Sequence, residues 1–447
     1  MMQVTGNRAS EAYNRSCLLP SGVFFYGCAL FPVRGRNFGK MLKIKMQNNF
    51  MTRLVWAKFR APKMGVGSLV FTALLFLVPL SHEKAVLGTD KSTEWNLPRG
   101  NAQSSGFTPI QLPADLTILW ETKLDEAIET TPVVGHGKLF TADIFGKLYA
   151  LDQESGELSW KRDYETGFLA APALNGKKMV IGDVDGNVYA LNPETGEELW
   201  RSETGGEISG SAAFFEDMVV IASQDGKLYS FALKDGTPRW TYQTEDQVRC
   251  SPSIAGNRTF LGGCDGQLHQ VDLRTGKIVG DPLPLGGPTG STPAILGSKV
   301  VLPIMDGLVL AFNWQKQEKL WTYEDIDRLQ EYRSSAAITE DFVVVSSQNK
   351  QVDALSSDTG ELKWSYTLKR RADASPVIAG KDVWIAATDG RLIRLSLNQG
   401  SEVWTYEIRG AFLAAPAIIN GRLFIGDDDG VMRCFGVLQD AGKEIDQ

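Results

Sequence analysis

The sequence predicts an all-β fold, an eight-bladed β-propeller of four-stranded antiparallel blades whose ring is closed by an N-terminal strand. Three observations predict it. Tryptophan recurs at a step of 40 residues as Trp120, Trp160, Trp200 and Trp240, stays in register through Gly280, and resumes at Trp321, Trp364 and Trp404. Within each interval, Asp-Gly or Asn-Gly pairs separate short apolar runs. The first and last repeats are incomplete in complementary ways.

Residues 161–200 serve as the model unit. Ala170-Ala-Pro-Ala-Leu174 gives a small-residue inner strand, and Asn175-Gly176 turns the chain. Met179-Val-Ile-Gly182 is a second strand, turned at Asp185-Gly186, and Asn187 to Asn192 a third. Pro193-Glu-Thr-Gly-Glu-Glu-Leu-Trp200 leads into the fourth. Asp-Gly and Asn-Gly are strong hairpin signals because type I′ turns need φ > 0 at both central residues. The Asp-Gly returns at Asp225, Asp265, Asp306, Asp389 and Asp429, and decays to Phe145-Gly146 and Asn349-Lys350.

The ends decide between an open stack and a closed ring. The last unit, through Phe424 to Phe435, lacks a fourth strand, while Asp115 to Trp120 is a fourth strand without its first three. Pairing them closes the ring and removes exposed sheet edges. Trp120, Trp160, Trp200, Trp240, Trp321, Trp364 and Trp404 are therefore expected to dock on neighbouring blades, each burying roughly 150–250 Å² of aromatic surface. Gly280 marks a missing dock.

The chain divides by composition as well. Residues 1–84 hold 12 Lys/Arg against 2 Asp/Glu, and the rest 34 against 51. So acidic a body excludes a nucleic-acid partner that needs a concentrated basic face. Lys58, Arg60 and Lys63 precede the apolar run Gly65 to Leu80. This reads as an export signal or short membrane anchor over 58–85, and so as a periplasmic or envelope-associated protein. Residues 1–57 are then a mis-assigned or disordered extension, 86–113 a lead-in, 114–436 the propeller and 437–447 a polar tail. A monomer is expected.

Ala150-Leu-Asp-Gln-Glu-Ser-Gly-Glu-Leu-Ser-Trp160, with the matching strings 190–200 and 354–364, resembles the Trp-docking motif of PQQ-repeat (pyrroloquinoline quinone) propellers. The likeness covers residues 114–436. Trp95-Asn-Leu-Pro-Arg-Gly-Asn-Ala-Gln-Ser-Ser-Gly106 is similar to the segment ahead of many bacterial propellers of this kind. The resemblance implies one of two functions. The quinoprotein dehydrogenases hold PQQ and calcium, beside a disulfide between adjacent cysteines; the BamB-like branch consists of non-enzymatic scaffolds in outer-membrane protein assembly. This sequence has no adjacent cysteine pair and no long insertion between its tryptophans, which departs from the dehydrogenases. The reading is a non-catalytic scaffold for a protein or peptide, without cofactor or metal. Its alternatives are a PQQ-dependent dehydrogenase-like enzyme and a small-ligand-binding propeller.

Individual residues carry three further expectations. Cys250 and Cys264 lie on two arms of one hairpin and are a candidate disulfide; the alternative is two small thiols. His269 stands where other repeats have Tyr149, Tyr189 and Tyr229, and reads as a packed replacement for tyrosine. The column Glu129, Leu169, Ser209, Arg249, Gly290, Arg333, Asp373, Leu413 is uneven in charge. Glu129, Arg249, Arg333 and Asp373 are therefore the candidate binding residues, at one mouth of the channel.

Overall fold

The computed structural model describes residues 94–438. The extension 1–57, the signal or anchor 58–85 and the tail beyond residue 438 lie outside the described residues. The eight expected blades are present. Blades I to VII occupy 133–163, 173–203, 213–243, 253–284, 294–324, 337–367 and 377–407. Blade VIII combines 417–436 with Thr117–Lys123, which pairs antiparallel with Val431–Gly436 and closes the ring as expected.

Blade II shows how sequence becomes geometry. Ala173–Asn175, Lys178–Gly182, Asn187–Leu191 and Glu198–Glu203 pair in order. The middle strands, Lys178–Gly182 and Asn187–Leu191, are buried on both faces apart from their first residues. The outer strand slips register between Glu198 and Trp200, a bulge that re-aims the indole toward the next blade. The same slip precedes each of the other repeat tryptophans. Asp-Gly turns keep glycine at positive φ, and the decayed turn of blade VI holds Lys350 at φ 70°.

Six of the repeat tryptophans lie on a glycine of the following blade. The Trp160 ring lies on Gly196, where a Cβ would come within 2.7 Å of the indole, and its Nε1 donates to the Pro193 carbonyl at 2.9 Å. Trp120, Trp200, Trp240, Trp321 and Trp364 repeat both contacts on the following blade. Trp404 differs. Its blade VIII neighbour has no such glycine, and the ring packs edge-on against Trp384 and Phe435 instead.

The joint expected to be empty at Gly280 is filled from the other side. Gln317 occupies the docking-glycine position of blade V, with φ 55°, and its side chain lies over Gly280. Gln317 Nε2 donates to the Val279 carbonyl at 2.8 Å, much as an indole N–H does elsewhere. Trp-on-Gly has become Gln-on-Gly with donor and cover exchanged. The fourth strand of blade IV is accordingly split into Lys277–Ile278 and Leu283–Pro284.

The lead-in is part of the ring, which its polar composition did not predict. Trp95 bridges Val134 of blade I and is buried. The inner-strand amides of Leu174, Ile254, Ile295, Ile338 and Ile378 donate in turn to the carbonyls of Asn96, Ala102, Gln103, Ser105 and Gly106. Phe107–Thr108 then adds as a parallel strand to Val377–Ala379. This strap crosses the inner strands beside their Asn-Gly-type turns and so covers that end of the channel.

Candidate functional site

The candidate residues stand at the opposite end. Ile128 N, ahead of Glu129, bonds to Asp427 O in the turn of the blade before it at 3.0 Å, while Gln247, Glu331 and Arg371, two residues ahead of Arg249, Arg333 and Asp373, accept the amides of Cys264, Gln348 and Thr388 in the turns of their own blades at 2.9, 2.8 and 2.9 Å. The column thus lies on the face that carries the Asp-Gly turns. Inter-blade hydrogen bonds hold it there. Ser211 N donates to Ser251 Oγ at 2.9 Å, Ser251 N to Thr292 Oγ1 at 3.1 Å, Thr292 N to Ser335 Oγ at 2.9 Å, and Ser335 N to Ser375 Oγ at 3.0 Å. This belt of hydroxyls occupies the column two places after the mouth residues.

The four residues are not paired with one another. Glu129 is half-buried, and burial, then Asp428 and Asp373, push its pKa above the usual carboxylate range. Asp373 accepts from Gln348 Nε2 at 3.0 Å and Arg371 Nε at 2.9 Å. Arg249 donates through Nη2 to Gln247 at 3.0 Å, while its buried Nε lacks a partner. Arg333 is exposed and holds Glu331 at 2.6 Å. Glu129, Asp373 and Asp428, from neighbouring blades I, VII and VIII, therefore form an acidic sector. The acidic candidates thus stand in blades I and VII and the basic ones in blades IV and VI, with Arg371 and Glu331 as the local partners of Asp373 and Arg333.

The loop between blades V and VI lies on this face, against the turns at Gly307 and Asn349. Asp325 fixes it by accepting from Arg328 N and Nε, at 3.1 and 2.6 Å, and from Gln330 Nε2 at 3.1 Å. On this pinned frame Ile326 and Leu329 are 86% and 87% exposed. Sequence reasoning missed both, because two apolar residues in an otherwise regular repeat read as strand.

Two chemically suggestive features prove to be packing. His269 Nε2 meets Asp265 at 2.8 Å and Nδ1 meets the Tyr242 hydroxyl at 2.9 Å. Tyr229 makes the equivalent contact to Asp225, and Tyr149 and Tyr189 reach carboxylates two positions earlier in the repeat, Asp143 and Asp183, at 2.8 and 2.7 Å. The expected Cys250–Cys264 disulfide is not formed. Cys250 is buried, and its Sγ approaches the Gly262 carbonyl at 3.3 Å. Thr130 and Ser334 cap the equivalent carbonyls, of Ala142 and Ser346. The thiol is a substitute hydroxyl facing the core, and burial pushes its pKa up to about 12.

Among the described residues, no group of three or more His, Cys, Asp or Glu is placed to hold a metal ion. Comparison with known proteins then supplies the relationship. A family model described as "Outer membrane protein assembly factor BamB" matches residues 113–203, 184–280 and 282–435. BamB from Moraxella catarrhalis superposes with TM-score 0.64 at 21% identity, over 74% of this chain and all of that one. Quinohemoprotein alcohol dehydrogenase from Comamonas testosteroni gives 0.68 at 14%, covering 80% and 83% of the two chains. A europium-containing methanol dehydrogenase gives 0.67 at 11%, covering 77% and 98%. No curated protein matches the chain. At these identities the solved structures speak for the fold, while the family model spans most of the propeller: the chain belongs to the BamB-like family of PQQ-repeat β-propellers.

Proposed function

We propose that this protein is a non-catalytic scaffold of the cell envelope that binds a protein or peptide in outer-membrane protein assembly. The observation that carries the reading is the pair Ile326 and Leu329, almost fully exposed on a loop pinned by Asp325 beside Arg333. Apolar side chains held in water on a fixed frame suit a partner that buries them, because little ordering is left to oppose binding. The charged mouth beside the loop would orient that partner. The BamB-like family match supports the same assignment.

The dehydrogenase reading meets a poor fit. Calcium needs six or more oxygen ligands. The acidic sector of Glu129, Asp373 and Asp428 is not among any metal-holding grouping of the described residues. Asp373 is already engaged by Arg371 and Gln348.

The test is affinity capture from envelope extracts with the exported chain, its Ile326→Asp/Leu329→Asp variant and its Arg249→Glu/Arg333→Glu variant. A partner retained by the native chain and lost with the first variant is expected, with weakened, salt-sensitive capture for the second. Equal recovery on all three baits would reject the face. Alcohol oxidation with added PQQ and calcium well above background would reject the scaffold.

A further inference from the structure

The strap carries a charge that nothing in the described chain balances. Arg99 is buried inside the ring. Its Nη1 donates to the Pro376 carbonyl at 2.9 Å and its Nη2 to the Ala336 carbonyl at 2.7 Å, while Nε has no partner. No carboxylate acts on the guanidinium, and burial alone lowers its pKa, to about 10. The group remains a cation at any physiological pH. Buried charges are ordinarily paired, since carbonyl dipoles alone replace hydration poorly.

A cavity of about 20 Å³ is lined by Arg99, Asn101 and Ser104 of the strap and by Ser211 and Ser251 of blades III and IV, with Pro and Ala side chains completing the wall. The strap accepts inner-strand amides from blades I, II, IV, V, VI and VII, yet Phe214, the equivalent residue of blade III, makes no such bond. The cavity thus coincides with the point where strap and ring separate. Ser251 Oγ already accepts the Ser211 amide at 2.9 Å, which leaves its own proton to donate. The volume suits one sphere about the size of a water. A halide fits; a phosphate or sulfate is too large.

We propose that this cavity is an anion site for one halide-sized ion, chloride in the cell, which neutralises Arg99 and fastens the strap to blades III and IV. The inference is independent of the binding face at the other mouth. An ion that binds only the folded chain raises its stability with concentration.

Thermal unfolding of the purified protein in chloride or bromide, against sulfate at matched ionic strength, tests it, together with anomalous scattering from bromide-soaked crystals. The expected results are a saturable rise in Tm with halide only, and a bromide peak within hydrogen-bonding reach of Arg99. Arg99→Met should abolish the halide-specific rise. Equal Tm responses to halide and sulfate, or crystals without bromide in the cavity, would overturn the site. Should Arg99→Met fail to fold, the native-protein titration and crystals still decide the question.

Discussion

Glu129 shows how one residue of a repeat column acquires its own chemistry. Asp373 shares its column in the repeat, whereas Asp428 belongs to a hairpin turn of another blade, and the ring sets both close to it. A carboxyl whose folded pKa is raised keeps a proton that the unfolded chain has released. Stability therefore falls as pH rises from the ordinary carboxylate value through the folded one. Glu129→Gln should raise Tm near neutral pH, and the gain should vanish in acid below the usual carboxylate range; a pH series of melting curves checks this. At the docks, Trp200→Ala should cost about 3–5 kcal/mol by urea unfolding. Trp404→Ala should cost less, since Trp404 is only half-buried and lacks a docking glycine. Gln317→Ala should cost about 1–2 kcal/mol, as it removes both the cover of Gly280 and the bond to Val279.

At the scale of elements, the strap is the least regular segment and one of the most connected. Its carbonyls serve six blades, and Trp95 and Arg99 anchor it through side chains. The amides of Leu174, Ile254, Ile295, Ile338 and Ile378 should therefore exchange slowly with deuterium, and Trp95→Ala should speed them together. If they exchange like surface amides in the native protein, the strap is not bound as described. Strap and closing strand also differ in legibility. Thr117–Lys123 was readable because the last blade lacked a strand and this segment had the pattern to supply it. Residues 94–108 have no periodicity. They are held by main-chain bonds to a surface that exists only once the ring has formed.

For the whole molecule, the two ends of the channel have separate roles. The strap covers one, and the other presents the charged column with Ile326 and Leu329. Binding at the open face should leave strap exchange unchanged and slow exchange only near the loop 325–330 and the mouth column. A partner that protected the strap instead would place binding at the covered end. The blades repeat regularly, and the proposed binding face lies at two departures from that regularity: one longer loop and one uneven column.

The sequence by itself determined the blade count, the hairpins and the ring closure, because each follows from residue spacing that repeats around the ring. It also identified His269 as a tyrosine replacement by register alone. Tertiary structure decided what happens between segments distant in sequence. It filled the joint at Gly280 with Gln317, turned Cys250 into a carbonyl cap, gathered Glu129, Asp373 and Asp428, and drew the lead-in through the ring. The physical reason is common to all four. Periodicity encodes which face of a strand is buried, but the partner found on that face depends on which blades the closed ring makes neighbours.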